Sequence, residues 1–374
     1  MTWAIVTGEY PPQRGGVSDY TRLVAHALAA CGDEVHVWAP ESSAAALPDP
    51  TVQVHRLPGH FGPKALAMLD TALRRLPASA RLLVQYVPHA YGWKAMNVPL
   101  CLWLAARPKQ PLWVMYHEVA FPLSWSQPLK HNFLGLVTRG MAHIVARAAQ
   151  RIFITIPAWR ALLPQRPGIE LLPVPSNIAT SVSPEAAQAV RRRLAPAPDQ
   201  ILLGHFGSFS SHTEPSMADI LPVVLDAAPN RVAVLVGKGG DRFVAGLLAS
   251  HPRLEGRITG TGSLPGDDAA AHLAACDLLL QPYADGASGK RGSLMGGLAL
   301  GLPIVSTHGQ ASEPFWIESG AVALAQEPGL ASFLQTVEAV LADPAHRAEL
   351  GRQAALLYEQ HFSLAHTIRE LRAS

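Results

Sequence analysis

Lys290 and Arg291 stand side by side in "YADGASGKRGSLMGGLALGLPIVST" (283–307), with Ser288, Gly289, Gly292 and Ser293 around them. Leu294, Leu298 and Leu300 downstream mark a helix, and Ile304-Val305 a buried strand. The cations therefore fall where a loop becomes helix, an end that the backbone dipole already makes positive. Each is misplaced there by about half a kcal/mol unless an anion is present. Amides of small residues, the dipole and a forked guanidinium together suit a phosphate or diphosphate. The competing reading, a solvated pair at a helix end, leaves the misplacement unexplained.

Gly15-Gly16 lie just before another helix, whose apolar positions Tyr20, Leu23, Val24, Ala27, Leu28 and Cys31 share a face and for which Ser18 is the expected N-cap. Two glycines there can bring backbone amides to an anion, or serve a loop that needs positive φ. The stretch does not match G-x-G-x-x-G, so the pair alone favours the second reading. His117-Glu118 end the apolar run "PLWVMYH" (111–117), where an imidazole can hydrogen-bond a substrate hydroxyl or a developing charge. Among 16 histidines a structural role is an equal alternative. "QYVPHAYG", with His89 and Tyr91, is a similar, weaker candidate.

These groups need strands and helices to position them, and the chain alternates the two. Trp3–Thr7, the helix after Gly16, and "EVHVWAP" form a βαβ unit. Apolar strands are expected at 81–87, 111–117 and 151–156, and the pattern restarts after "LLPVPSNI" at 201–207, 231–237, 277–283 and 302–307. Near-continuous apolar strands imply a parallel sheet covered on both faces. The expectation is an α/β chain of two Rossmann-like domains, 1–176 and 177–357, with a C-terminal helix at about 358–374 packing back on the first. Ligands of such sheets bind beyond the carboxyl ends of the strands.

Composition narrows the class. The chain has 374 residues, 49% of them hydrophobic, and a formal charge of +2, with no basic block able to follow nucleic acid. Cys31, Cys101 and Cys276 give neither a disulfide framework nor a zinc spacing. The start reads as a strand and no run approaches the ~18 apolar residues of a membrane span, so a soluble cytoplasmic protein is expected.

On these residues the whole chain resembles the retaining, nucleotide-sugar-dependent glycosyltransferases of the GT-B fold, glycosyltransferase family 4 in particular. "GEYPPQRGGVSDYTRLVAHALAACGDEVHVWAP" resembles its N-terminal unit, and "VMYHE" its strand-end histidine. "LVGKGGD", "ITGTG", "ACDLLLQPY" and "LALGLPIVST" fall in its C-terminal order. There is a departure. The family's Glu-x7-Glu pair, which touches donor sugar and ribose, falls on Ser288 and Gly296; Asp285 or Glu313 are the only substitutes suggested. Its diphosphate-binding arginine and lysine are likewise missing from "GHFGSFSSHTEPS", where Ser208 lies near the arginine position. Lys290-Arg291 then reads as a relocation of that charge.

The resemblance implies two domains facing across a cleft that closes about residue 176 and excludes water. Gly15, Gly16, Gly207, Ser208, Ser288, Gly289, Lys290, Arg291 and Gly292 would hold the donor diphosphate; Gly237, Thr261, Gly262 and Glu313 the nucleoside. Asp19, Tyr20 and His89 would meet the acceptor, and His117, Lys290 and Arg291 would be catalytic. No metal or other cofactor is implied; the co-substrate is a nucleoside-diphosphate sugar. The acceptor is a glycan, a lipid-linked compound or a small molecule. "GDD" (266–268) reads as a helix start and not as a metal motif. Residues 121–151 mix aromatics with Lys130, Arg139, Arg147 and Arg151. They fit a peripheral contact with the inner membrane face, although ordinary helices packed on the sheet are the favoured reading. Two alternatives stay open: an epimerase or phosphorylase on the same fold, and a non-catalytic partner subunit that has lost the glutamates.

Overall fold

The computed structural model describes residues 1–13, 15–42, 49–106, 110–211 and 213–373. They form two α/β units, Met1–Val174 with Thr367–Ser374, and Pro175–His366. Sequence reading drew the line at 176 and returned the chain from about 358. In the structure the segment up to His366 stays with the second unit, and only the last turns of the helix Leu364–Arg372 join the first. There Arg81 and Arg151 donate to the carbonyls of Leu371 and Ala373, and Arg372 pairs with Asp33.

The first unit holds β1 (Thr2–Thr7), β2 (Glu34–Pro40), β3 (Gln53–Leu57), β4 (Arg81–Tyr86), β5 (Leu112–Tyr116), β6 (Arg151–Ile154) and β7 (Ile169–Leu171), in the order β3-β2-β1-β4-β5-β6-β7. The second holds β8 (Ile201–Phe206), β9 (Arg231–Val236), β10 (Ile258–Gly262), β11 (Leu278–Gln281), β12 (Ile304–Thr307) and β13 (Ala323–Ala325), in the order β10-β9-β8-β11-β12-β13. All pairings are parallel. Successive residues serve opposite faces: Leu279 joins Leu294 and Trp316 on one side of the second sheet, Leu278 and Leu280 join Phe333 on the other. That explains the unbroken apolar runs.

Strand order reverses between β1 and β4 in the first sheet and between β8 and β11 in the second. Loops diverge at such switch points and leave a crevice beyond the strands. One difference from the sequence reading is local. The first helix runs Gly16–Ala30 with Gly15 as its N-cap; Ser18 lies inside the first turn and its hydroxyl donates back to Gln13 O at 2.6 Å. With glycine at the cap, no side chain of the cap residue accepts from the first turn.

Candidate active-site residues

In the second unit, loops after β8 and β11 flank the switch point. The helix Gly292–Ala299 starts there, with Arg291 as its extended N-cap residue. The Arg291 guanidinium lies 4.8 Å over the Tyr283 ring and pairs with Asp285, which Lys290 Nζ also approaches at 3.4 Å. The misplaced cations thus have an internal anion, which sequence reading had mentioned only as a substitute for a glutamate. Arg291 Nε is buried without a partner, and burial pulls the guanidinium pKa down from its usual value. Tyr283 donates toward Gln281 and pairs with Ser293 at 2.8 Å. It also lines, with Asp219, Thr307, His308 and Phe333, a cavity of about 300 Å³.

Glycines let the neighbouring loops approach. A Cβ on Gly237, where φ is +137°, would lie 2.0 Å from Gly207 O. Gly237 N donates to Gly262 O at 3.0 Å, so Gly207, Gly237 and Gly262 form a backbone row across β8, β9 and β10. A Cβ on Gly207 would lie 3.9 Å from the Ser293 side chain and 3.5 Å from His205 Nε2. Thr261 donates to Gly262 O, and Ser208 is exposed. Ser288 is fully buried and its carbonyl accepts from Arg291 N.

Glu313 belongs to the loop's foundation. Its carboxylate accepts from Gly289 N at 3.2 Å and from the Trp316 indole at 2.7 Å. Burial raises its pKa. At the two family glutamate positions, Gly296 packs on Ile178 and Phe206, and Ser288 has no exposure. Neither position opens to solvent: a Cβ on Gly296 would lie 3.1 Å from the Ile178 side chain, and Ser288 is enclosed. Trp316, stacked 5.6 Å from Phe362, is core.

In the first unit, Gly15 and Gly16 follow the β1 loop, so two of the diphosphate candidates lie apart in sequence unit from the rest. The Glu9 carboxylate fills the space beside Gly15: a Cβ there would meet Oε1 at 2.6 Å, whereas one on Gly16 would meet open space. Asp19 N donates to Gly15 O. His117, just past β5, packs edge-on against Tyr20 at 4.7 Å, and its Nε2 bonds Gln85 Oε1 at 2.8 Å. Burial pushes the His117 pKa down to about 3, which keeps the ring neutral; facing the Gln85 oxygen, Nε2 is the nitrogen that donates, which leaves Nδ1 to accept. Burial also raises the Tyr20 hydroxyl. Exposed His89 pairs with Glu118 at 3.4 Å, and that hydrogen bond raises its pKa.

Sequence reading missed three side chains. Gln85, fully buried on β4, orients His117 and keeps an unpartnered Nε2. His205, on β8, donates from Nδ1 to Leu280 O at 2.8 Å and leaves Nε2 buried and unpartnered beside Gly207. Burial lowers its pKa to about 4. Glu9 is the third. Polar residues inside strands carry one weak signal, a break in an apolar run. Arg14 and His212, in the two motif loops, lie outside the described residues. Among the described residues, no cluster of His, Cys, Asp and Glu is arranged to hold a metal, and no helix is long and apolar enough to cross a membrane.

Two parallel α/β sheets, each with a switch point that leaves a crevice beyond its strands, define a two-unit, Rossmann-like class of fold. Within it, residues 15–175 match the family described as a glycosyl transferase 4-like domain. The chain is similar to Anabaena HepE in complex with UDP (18% identity, TM-score 0.71, covering 99% of this chain and 98% of that one). It is also similar to sucrose-phosphate synthase from Thermosynechococcus elongatus (17%, 0.70, 99% and 98%). A third is WaaG, a glycosyltransferase involved in lipopolysaccharide biosynthesis (16%, 0.67, 100% of both chains). No curated protein sequence matches. The chain shares the two-unit GT-B fold of these structures, and its likeness to the glycosyl transferase 4-like domain spans residues 15–175.

Proposed function

We propose that this chain transfers a sugar from a nucleoside-diphosphate sugar to an acceptor hydroxyl, with retention of configuration and without a metal, in glycan, glycolipid or glycoconjugate biosynthesis. One observation carries it: Lys290 and Arg291 stand at a helix start beside the Gly207–Gly237–Gly262 row, at the switch point of the second sheet. The diphosphate takes over Asp285's partners. The guanidinium, the ammonium and the helix amides then hold the charge that grows on the leaving group. The nucleoside lies along the glycine row, where close backbone approach is possible. On the first unit, neutral His117 accepts from a sugar or acceptor hydroxyl through Nδ1, its orientation set by Gln85; Asp19, Tyr20 and His89 surround the acceptor. The HepE structures with UDP and UDP-glucose make UDP the first nucleotide to try.

Thermal shift with UDP, GDP, dTDP, ADP and CMP tests the reading on the native chain and Arg291→Ala. One diphosphate should raise Tm in the native chain and lose that effect in the variant. If no nucleotide shifts the native chain, the donor reading falls and the partner-subunit alternative replaces it. Product formation then decides transfer, and its rate should be unchanged by a chelator.

A further inference from the structure

The helix Leu129–Ala148 is amphipathic in an unusual sense: its outward stripe is also apolar. Leu129, Phe133 and Leu136 are 87%, 60% and 60% exposed. Their i, i+4, i+7 spacing puts them on one side, while Thr138, Met141, Ala142 and Val145 on the other side are buried. Trp125, in the preceding loop, is wholly exposed. Large apolar side chains gathered in water mark an interaction surface.

The loop that carries Trp125 is not collapsed for want of structure. Asn132 clasps it, accepting from Ser124 N and Gln127 Nε2 and donating to Ser124 O, all within 2.7–3.1 Å. Phe121 N donates to Thr138 Oγ1. Gly135 lets the backbone press onto the helix, since a Cβ there would meet Leu123 at 2.6 Å and Pro122 O at 3.0 Å. A polar clasp therefore holds the backbone down and leaves the apolar side chains to solvent.

Charge selects the occupant. From Val119 to Ile169 the sequence has no Asp or Glu, but it has Lys130, Arg139, Arg147, Arg151, Arg160 and Arg166. Lys130 and Arg147 are exposed on the stripe-bearing helix itself. Arg151 is paired with Glu170, and Arg160 and Arg166 are held by backbone carbonyls, so Lys130 and Arg147 are the cations this helix offers; a second copy would set the same two against them, with no carboxylate on the helix to meet them. A layer of anionic headgroups over an apolar interior complements both features at once.

We propose that the loop at Trp125 and the outer stripe of Leu129–Ala148 dock the first unit onto an anionic lipid bilayer. Trp125, Leu129, Phe133 and Leu136 enter the headgroup–acyl boundary, and Lys130 and Arg147 engage the phosphates. The docking stands independently of the transfer reading. If both hold, the membrane lies eight residues along the chain from His117, which suits an acceptor carried on a lipid.

Co-sedimentation of the full chain tests this, with phosphatidylcholine vesicles with and without about 30% phosphatidylglycerol. Binding should require the anionic lipid and weaken with salt. Trp125→Ser/Leu129→Ser/Phe133→Ser should lose at least tenfold in partition coefficient, and Lys130→Glu/Arg147→Glu several-fold together with the salt dependence. These sites are exposed, so melting curves should not move. Light scattering supplies the other arm. The inference is overturned if the native chain ignores anionic vesicles, or if the triple variant binds them equally. It is overturned too if the native chain is a dimer that the triple variant makes monomeric, because the stripe is then a self-interface.

Discussion

The two switch points sit at equivalent places in their sheets, yet they are furnished with opposite charge. Beyond β1 lies a carboxylate, Glu9, against the glycine cap, and just past β5 a histidine that Gln85 of β4 holds and burial keeps neutral. Beyond β8 and β11 lie two cations that share Asp285. Both helix starts thus receive an anion from their own chain. In the first unit it lies directly on the glycine; in the second it is held through cations that a stronger anion can claim. A site lined with neutral and acidic groups suits sugar hydroxyls, and a cationic one suits phosphate. One fold position carries two different sets of side chains in the two units, which is what the proposed division between acceptor and donor rests on.

The largest expected effect separates the two sets of glycines. Gly237→Ala puts a Cβ 2.0 Å from Gly207 O at a positive φ, against backbone that cannot swing away. It should cost about 3 kcal/mol or more, or prevent folding. Gly15→Ala meets only the end of the Glu9 side chain and should cost under about 1 kcal/mol. Denaturant melts of both variants compare them; equal costs would mean that Glu9 is as rigid as backbone.

Next comes the ligand. Arg291→Ala should weaken diphosphate binding by about 10- to 100-fold, the range of a charge-assisted hydrogen bond. His117→Ala should leave that affinity alone and lower turnover by about 10²-fold. Calorimetry and initial rates together report both; a histidine variant that loses diphosphate affinity would erase the division of labour.

A pH series probes the buried histidines. His117 and His205 have folded pKa values of about 3 and about 4, below the ordinary imidazole value near 6.5. Between those values the unfolded chain binds protons that the folded chain refuses. Stability is therefore complete above about pH 6.5 and falls as pH drops, by up to about 1.4 kcal/mol per pH unit for each histidine. His205→Gln should flatten the acid limb measured by urea melts at pH 7, 6 and 5. An unchanged slope would place the histidine in contact with water.

The smallest effect falls on Asp285, which is partly exposed. Asp285→Asn frees Arg291 and Lys290, so diphosphate should bind about threefold tighter at low salt, with the gain fading as salt screens the site. Looser binding would mean that Asp285 positions Arg291 more than it competes.

How far the sequence could be read follows a physical gradient. Every interior strand of both sheets was legible, because burial on two faces demands an unbroken apolar run. All four strands that were not foreseen, β3, β7, β10 and β13, are sheet edges. They are three to five residues long, and the runs "QVHRL" and "ITGTG" are partly exposed. An edge pairs on one side only, so it needs no apolar signature. At the sites, Lys290 and Arg291 announced themselves by standing at the wrong end of a helix. Asp285 as their partner, six residues before Arg291, did not, because a surface carboxylate looks the same whether paired or solvated.

By itself, then, the sequence determined the alternation of elements, the two-unit division, and the helix start where cations gather. Periodicity, dipole and charge are local properties, and local properties are written in order along the chain. Only the tertiary structure decided that Glu313 supports Gly289, that Gln85 orients His117, that Gly207 and Gly237 touch, and that Leu129, Phe133 and Leu136 face water. Each of those depends on what a distant segment brings to within a few ångströms. No spacing along one strand or helix specifies that.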